Sequence, residues 1–244
     1  MNPAVKRFDD AVASLTVTGQ PFELDTVELN GVEYSNFAGM PANLGQYFLL
    51  TQQHADKDFA VYLDERYTFA EAYQHSAEFG TALLQRYGVA KGDRVAILSR
   101  NNPQWLMAFM GAVAVGAVAV PMNAWWTTEE LDYGFADSGA RVVVADRSRV
   151  ERLAPIAAKH GLQIIAIDDC SGLDVPSTPF ARLLQEFAGA PMPEVVVALD
   201  DHATSMYTSG STGPPKGALS SHRGILSARF SWLLMGMATK IAEG

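Results

Sequence analysis

The order of strand-like and helix-like runs is the feature of this sequence that most constrains its fold. Short runs that are apolar almost throughout, such as 94–98 and 141–145, alternate with longer runs of helical type. A strand with both faces covered is apolar continuously, whereas a strand with one solvated face alternates apolar and polar residues. The pattern therefore predicts an α/β fold with a mostly parallel sheet flanked by helices.

The predicted elements follow one another along most of the chain. Helices are predicted at residues 5–15, 42–54, 69–87, 103–115, 127–137, 148–160, 180–187 and 221–244. Strands are predicted at residues 59–63, 94–98, 117–120, 141–145, 163–167, 194–199 and 204–207. Thr127 and Glu130 form a capping-box pattern, in which each side chain can accept a hydrogen bond from the other's free backbone N–H. This pair is expected to fix the start of one helix.

Composition and charge exclude several classes of protein. Apolar residues make up 48% of the chain and charged residues 18%, so the chain is expected to fold rather than stay disordered. The formal net charge of −9 argues against nucleic-acid binding and against a polybasic membrane anchor, since both need clustered cations. An anionic ligand must then be held by local groups.

Cysteine usage and apolar segments bear on the compartment. Cys170 is the only cysteine, so an internal disulfide is impossible and a reducing compartment fits best. The N terminus lacks the apolar core of a signal peptide, and the protein is expected to be cytoplasmic.

Residues 105–122 carry no charge over a length that just reaches that of a membrane span. Because Pro103 can start a helix and Gly116 can end it before a short buried strand, no integral membrane segment is predicted.

Residues 208–217 have the composition of a ligand-binding loop. They include three glycines, four hydroxyl side chains, two prolines and one lysine, a composition poor for a helix or a strand. Glycines allow backbone N–H groups to approach a ligand, and Ser209, Ser211 and Thr212 add hydroxyl donors. Together with the positive charge of Lys216, these groups predict a receptor for phosphate oxygens.

The loop differs from the Walker A motif, which has a longer spacing between its glycines and ends in Gly-Lys-Ser/Thr. Two residues separate Gly210 from Gly213, and Gly217 follows Lys216 where a magnesium-binding hydroxyl would stand. The chain also lacks a G-x-G-x-x-G dinucleotide fingerprint. Another class of phosphate-binding loop is therefore needed.

Two segments carry a resemblance to a known family. Tyr-Thr-Ser-Gly-Ser-Thr-Gly-Pro-Pro-Lys-Gly at residues 207–217, with Ser-His-Arg-Gly downstream, resembles the phosphate-binding signature of the AMP-forming adenylating superfamily. That superfamily includes acyl-CoA synthetases, peptide-synthetase adenylation domains and luciferases. Residues 111–146 resemble its other early motif, in which an alanine- and glycine-rich helix and strand lead to a proline, a loop, a helix and an Asp-Ser-Gly turn. The resemblance runs from about residue 44 to the end and implies an incomplete large N-terminal domain of an adenylate-forming enzyme.

The resemblance implies ATP, Mg²⁺ and CoA as ligands and a small carboxylic acid, fatty rather than aromatic, as substrate. Thr208 would contribute to the Mg²⁺ site, and Lys216 would neutralise charge on the departing pyrophosphate. The residues that would supply hydroxyl and backbone donors to the β and γ phosphates are Ser209, Gly210, Ser211, Thr212 and Gly213. The implied reaction is attack of the carboxylate on the α-phosphorus, which gives an acyl adenylate, followed by capture by the CoA thiol.

The family's later motifs, which hold adenine, ribose and Mg²⁺ and include a C-terminal catalytic lysine, have no counterpart in this sequence. Residues 1–42 are interpreted as an N-terminal leader segment and residues 43–244 as a partial AMP-binding domain. The chain alone is expected to form no acyl adenylate and to associate through its apolar end. The alternatives are a non-catalytic remnant or partner subunit with an intact loop, a peptide-synthetase-like enzyme, and an unrelated phosphate-binding fold such as a kinase, which the loop spacing disfavours.

Four further residues draw attention near these motifs. Trp125 and Trp126 follow Asn123, where the family has small, polar or basic residues. They fit a substrate entrance, a partner surface, a lipid-facing patch or packing on their own loop, and the last is favoured. His222 is expected to start a helix rather than to act in catalysis, and Arg223 is expected to be a solvated charge.

Overall fold

A seven-stranded sheet organises the larger part of the chain. The computed structural model describes residues 2–208 and 213–244. Its helices are α1 (Pro3–Thr16), α2 (Leu44–Leu50, continued by a 3-10 turn at Thr51–His54), α3 (Phe69–Gln85), α4 (Pro103–Ala114), α5 (Thr128–Ser138), α6 (Arg147–His160), α7 (Phe180–Glu186) and α8 (His222–Glu243). Its strands are β1 (Leu24–Leu29), β2 (Val32–Phe37), β3 (Asp58–Tyr62), β4 (Glu65–Thr68), β5 (Arg94–Leu98), β6 (Val118–Pro121), β7 (Val142–Ala145), β8 (Gln163–Ala166), β9 (Ser177–Pro179), β10 (His202–Thr208) and β11 (Lys216–Ser221).

The sheet confirms the predicted α/β architecture. Its strand order is β11-β10-β6-β5-β7-β8-β9, and neighbouring strands are parallel except for β10 and β11, which are antiparallel. Val95 on β5 lies opposite Ala119 of β6 on one side and Val142 of β7 on the other. Parallel strands need a crossover between them, and α4, α5 and α6 provide these connections in turn.

Helices cover both faces of the central strands. Leu98 faces a core that Phe135 of α5 and Leu153 of α6 close. Ile97, the preceding residue of β5, points to the other face and is equally buried. On that face α3 and α4 pack closely against each other, and Gly111 of α4 lies where a Cβ atom would meet the backbone of α3. Double coverage explains why these strands are apolar throughout.

Residues 105–122 fold as the sequence predicts. Helix α4 ends at Ala114, Gly116 takes a left-handed conformation with φ of 77°, and β6 follows. Within residues 2–208 and 213–244, no helix is both long enough and apolar enough to cross a membrane. The predicted capping box is also confirmed: Thr127 N donates to Glu130 Oε2 at 2.8 Å, and Glu130 N donates to Thr127 Oγ1 at 3.3 Å.

The strand predicted at 194–199 is wrong. Residues 191–198 have no regular secondary structure. Side chains bind the backbone of this segment instead of a neighbouring strand, since Lys91 Nζ donates to Val196 O at 3.1 Å and Asn43 Nδ2 donates to Val197 O at 3.0 Å. Val197 is the buried anchor of the segment, whereas Val196 is exposed.

The described residues fall into two compact units, 43–222 on the one hand and those up to 42 with 223–244 on the other. In the second unit, α1, the β1–β2 hairpin and α8 enclose a small core. Its buried members are Ala11, Leu15, Phe22, Phe37, Leu234 and Ala238. On α8, Leu234 is buried, while Trp232 is 73% exposed and Met235 is also exposed. The two units are defined by packing alone, so the assignment of residues 1–42 as a leader stays a prediction.

Candidate functional site

The glycine-rich loop joins the two antiparallel strands β10 and β11. Thr208 is the last residue of β10, Lys216 is the first of β11, and the two lie opposite each other in the ladder. The prediction that residues 208–217 form no strand is therefore wrong at both ends, because the ladder extends to Thr208 and includes Lys216 and Gly217. Directly opposed residues project from the same face of a sheet with Cβ atoms about 5 Å apart.

The middle of the loop is described only in part. Ser209, Gly210, Ser211 and Thr212 lie outside the described residues. Gly213 is exposed, and apart from its chain neighbours no atom of the described residues lies within 4 Å of the place where its Cβ would be. Thr208 and Lys216 are also exposed. The structure thus places three of the predicted site residues on an open surface at the end of a hairpin.

The hairpin ends at the edge of the sheet where ligands bind in α/β folds. Strand β10 runs parallel to β6, so Thr208 lies at the carboxyl edge of the parallel strands. The segments that follow β5, β6 and β7 reach the same edge. In open α/β sheets, the crevice outside the carboxyl ends of the strands is the usual ligand site.

Tyr207 anchors the loop to the body of the sheet. Its hydroxyl donates to Asp137 Oδ2 at 2.6 Å, at the end of α5. Its ring meets the Trp126 ring edge-on, with centroids 5.4 Å apart. Burial, and then the Asp137 carboxylate, raise the pKa of Tyr207 well above its usual value, so the hydroxyl keeps its proton and acts as a donor. Sequence reasoning missed this pair, although Tyr207 directly precedes the loop and Asp137 belongs to the Asp-Ser-Gly turn.

Gly217 allows β10 and β11 to approach each other. A Cβ atom at this position would lie 2.9 Å from Ser205 Oγ and 3.5 Å from the Tyr207 ring. Ser205 is buried on β10. A side chain at Gly217 would therefore displace Tyr207 or Ser205, both of which lie within the strand that leads into the loop.

The two tryptophans after Asn123 have different surroundings. Trp126 is 7% exposed and packs on Tyr207 and against Gly134 of α5, where a Cβ atom would lie 2.7 Å from its ring. Trp125 is 68% exposed, and the guanidinium groups of Arg100 and Arg149 lie 5.2 and 5.6 Å from its ring centroid. Packing on their own loop, the favoured interpretation, is therefore wrong for Trp126, which packs on other elements.

Arginines from α6 hold the backbone of this tryptophan loop. Arg149 is 4% exposed, forms a salt bridge with Asp146 at 3.2 Å and donates from Nε to Ala124 O at 2.9 Å. Arg152 donates to Ala124 O at 3.1 Å and to Trp126 O at 3.0 Å. A buried charge that lacks partners is costly, so the ion pair of Arg149 and Asp146 should stay formed. The hydrogen bonds of Arg149 and Arg152 then fix the backbone of the tryptophan loop and the position of the exposed Trp125 ring.

His222 is a helix-start residue, as expected. It is fully buried, and its Nδ1 accepts a hydrogen bond from Leu44 N at 3.1 Å. Burial lowers the pKa of His222 to about 4, so the ring is neutral near pH 7 and its proton resides on Nε2. No described residue accepts from Nε2. Arg223 was expected to be a solvated charge, but it donates to Asn36 Oδ1 at 2.8 Å.

Comparison with known proteins gives consistent matches. The AMP-binding enzyme family matches residues 50–242. 4-Coumarate–CoA ligase 1 of Petroselinum crispum is 30% identical over 164 residues, which are 67% of this chain and 29% of that protein. Feruloyl-CoA synthase of Amycolatopsis sp is 37% identical over 155 residues, which are 64% of this chain and 28% of that protein.

A solved structure agrees with the sequence relatives. The fatty acyl CoA synthetase of Mycobacterium tuberculosis superposes with a TM-score of 0.62 at 29% identity, covering 79% of this chain and 37% of that one. The chain thus spans about a third of the length of the proteins it matches. With the family match extending over most of the chain and the sheet reproduced in a solved relative, the protein belongs to the AMP-binding enzymes.

Proposed function

We propose that the hairpin loop between β10 and β11 binds the triphosphate tail of ATP. The observation that carries this proposal is the opposed pair of Thr208 and Lys216, which places a hydroxyl and an ammonium group at the two ends of a glycine-rich connection. The hydroxyl and backbone donors of residues 209–213 would lie between them. The loop stands at the carboxyl edge of the sheet, where an α/β fold binds its ligand.

The proposed roles follow from the chemistry of each group. Lys216 is exposed and starts β11, so its ammonium can reach phosphate oxygens without losing a structural partner. It would stabilise the negative charge that builds up as pyrophosphate leaves. Thr208 would offer one oxygen ligand to Mg²⁺, which commonly takes one or two protein ligands and completes its shell with phosphates and water. A single hydroxyl from this chain fits that preference.

We propose further that the chain is the N-terminal part of an ATP-dependent acid–CoA ligase. In such a ligase the acid's carboxylate oxygen attacks the α-phosphorus, and the bond to pyrophosphate breaks. The CoA thiol then attacks the acyl carbon, loses its proton and releases AMP. Residues 207–217 serve the first step, since charge on phosphoryl oxygens is the main thing that a protein stabilises there. The names of the CoA-ligase relatives support this proposal.

The acid is proposed to be a fatty acid, with an aromatic acid as the second candidate. The solved fatty acyl CoA synthetase supports the first, and the 4-coumarate and feruloyl relatives favour the second.

Residues 43–244 are proposed to form part of an AMP-binding domain, and the chain alone is proposed to form no acyl adenylate. ATP–pyrophosphate exchange by the purified chain tests the latter, and sustained exchange would contradict it. Exchange that depends on an added second polypeptide would support the partner-subunit alternative.

Calorimetric titration with Mg·ATP tests the role of the loop. Lys216→Ala should weaken binding by about tenfold, the loss of one charge-assisted contact, and Lys216→Arg should recover part of it. Lys6→Ala is the matched control, because Lys6 is an exposed lysine of α1. Thr208→Val should reduce the gain in affinity that Mg²⁺ gives over ATP in EDTA. Equal affinities of the wild-type and Lys216→Ala chains would refute the proposed site.

A further inference from the structure

A cavity of about 600 Å³ opens at the edge of the sheet opposite to the phosphate loop. Arg94, Val142 and Gln163 line it, and these are the first residues of β5, β7 and β8. The phosphate loop follows the last residue of β10, which runs parallel to these strands. The two sites therefore lie at least about one strand length, roughly 15 Å, apart. The volume is in the range of small-molecule sites, about 300 to 1,000 Å³.

The cavity concentrates positive charge in an acidic protein. Arg94, Arg141, Lys159 and His160 line it, against one acidic lining residue, Asp93. The whole chain carries a formal charge of −9, so the local excess of cations is opposite in sign to the net charge of the protein. Clustered cations in a concave site favour an anionic ligand.

Two of these cations have donors left for a ligand. Arg94 is held in place because Nε donates to Ser138 O at 3.0 Å, and Nη1 donates to Gly92 O at 3.2 Å and lies 3.9 Å from Asp93 Oδ1, which leaves its Nη2 group. Gly139 lets this guanidinium lie against the end of α5, since a Cβ atom there would be 3.2 Å from Nη2. The exposed Arg141 side chain makes no hydrogen bond or ion pair with any described residue.

Lys159 and His160 form the other wall of the cavity. Both bind Asp132, at 2.6 Å from Lys159 Nζ and 2.7 Å from His160 Nε2. This carboxylate offsets the charge of Lys159, so the two arginines are the principal anion partners. Phe135, whose ring centroid lies 6.1 Å from that of His160, is 1% exposed and lies behind this wall as part of the core.

The Tyr87 hydroxyl is a further feature of the same cavity. Tyr87 lines it, and its hydroxyl is shielded from solvent with no hydrogen-bond partner among the described residues. A buried hydroxyl without a partner costs about 1 to 3 kcal/mol, so such groups in native proteins normally have an acceptor. Because a water-sized probe does not reach this oxygen, a bound anion would accept from it only after rotation of the Tyr87 side chain.

We propose that this cavity binds a small phosphomonoester whose body is about the size of an aromatic or sugar ring. A phosphomonoester carries close to two negative charges at pH 7 and three strong acceptor oxygens. That matches the guanidinium donors of Arg94 and Arg141 better than a carboxylate does, with its single charge and two oxygens.

Titration of the full chain with phenyl phosphate, followed by calorimetry, tests the proposal. The wild-type chain should bind the probe saturably below about 1 mM, and Arg141→Glu should weaken binding by about tenfold or more. Arg182→Glu is the matched control, because Arg182 is an exposed arginine of α7 outside the cavity, and it should leave the affinity unchanged. Thermal melts should show that both variants remain folded.

Three further arms decide between sites and ligand classes. Tyr87→Phe should change the affinity for phenyl phosphate by less than about threefold, a smaller effect than that of the charge reversal, because the Tyr87 hydroxyl is shielded from solvent. Lys216→Ala should leave the affinity for this probe unchanged, and a loss of binding there would place the probe at the phosphate loop and overturn the proposal. Saturable binding of benzoate with equal affinity would overturn the assignment of a phosphomonoester. Absence of saturable wild-type binding, or an unchanged affinity in Arg141→Glu, would overturn the site itself.

Discussion

The hydrogen bond from Tyr207 to Asp137 holds the strand that leads into the glycine-rich loop at residues 208–217, and its loss should be measurable. Tyr207→Phe removes only the hydroxyl, because the ring can keep its contact with Trp126. A hydrogen bond to a charged group contributes about 1.5 to 3 kcal/mol. Since Asp137 is exposed and water can replace the lost donor, the expected loss of stability is below that range, about 1 kcal/mol. For a chain of this length that corresponds to a fall in Tm of about 2 to 4 °C.

A double-mutant cycle isolates this contact from other effects. Asp137→Ala should cost about as much as Tyr207→Phe, and the double variant should cost little more than either, which gives a coupling near 1 kcal/mol. Asp137→Asn keeps an acceptor and should restore part of the loss. Urea unfolding followed by tryptophan fluorescence provides the free energies. Full additivity of the two single changes would refute the contact, and exposed Asp174→Ala, expected within about 0.5 kcal/mol of wild type, serves as the control.

Two further predictions concern a buried histidine and a close helix contact. Burial lowers the pKa of His222 to about 4, below the ordinary value of 6.5, so the unfolded chain binds the proton first as the pH falls. The stability that comes from keeping His222 neutral is complete above pH 6.5 and falls by up to about 3 kcal/mol by pH 4. His222→Asn keeps an acceptor for Leu44 N and should remove this part of the pH dependence. Gly111→Ala would place a Cβ atom 2.5 Å from Ser76 O and 2.9 Å from the Phe79 ring, so it should cost about 3 kcal/mol in urea unfolding.

Matched controls separate these predictions from general effects. His202→Gln changes an exposed histidine and should leave the pH dependence of stability as in wild type. Gly236→Ala fills open space on α8 and should be neutral or stabilising by up to about 1 kcal/mol. An unchanged pH profile in His222→Asn, or a Gly111→Ala chain as stable as wild type, would contradict the corresponding packing.

The parts of the fold that sequence alone predicted have strong local causes. The continuous apolar run of β5 gave its bounds correctly, because burial on both faces leaves no room for polar residues. The Thr127–Glu130 pair predicted the start of α5 through hydrogen bonds between near neighbours. The β1–β2 hairpin was missed although Asn30 and Gly31, both with positive φ, form the usual Asn-Gly turn signal.

The remaining features depend on contacts between distant parts of the chain. Residues 194–199 have the apolar pattern of a strand, yet the carbonyl groups of Val196 and Val197 accept hydrogen bonds from the side chains of Lys91 and Asn43. The local sequence pattern shows neither of these partners. Similarly, Tyr207 meets Asp137 only because the fold brings the last residues of β10 close to the last residues of α5. The loop sequence predicted phosphate binding, but the opposed placement of Thr208 and Lys216 required the strand register.

NMR of the isotopically labelled chain titrated with Mg·ATP measures whether residues 207–217 bind the triphosphate of ATP. Amide signals of the non-proline residues in 208–217 should shift saturably, the β and γ phosphorus signals of ATP should shift with them, and Lys216→Ala should weaken both responses together. If those amides stayed unchanged at saturating Mg·ATP while signals elsewhere shifted, the phosphate site would lie in another part of the molecule and the account would be contradicted.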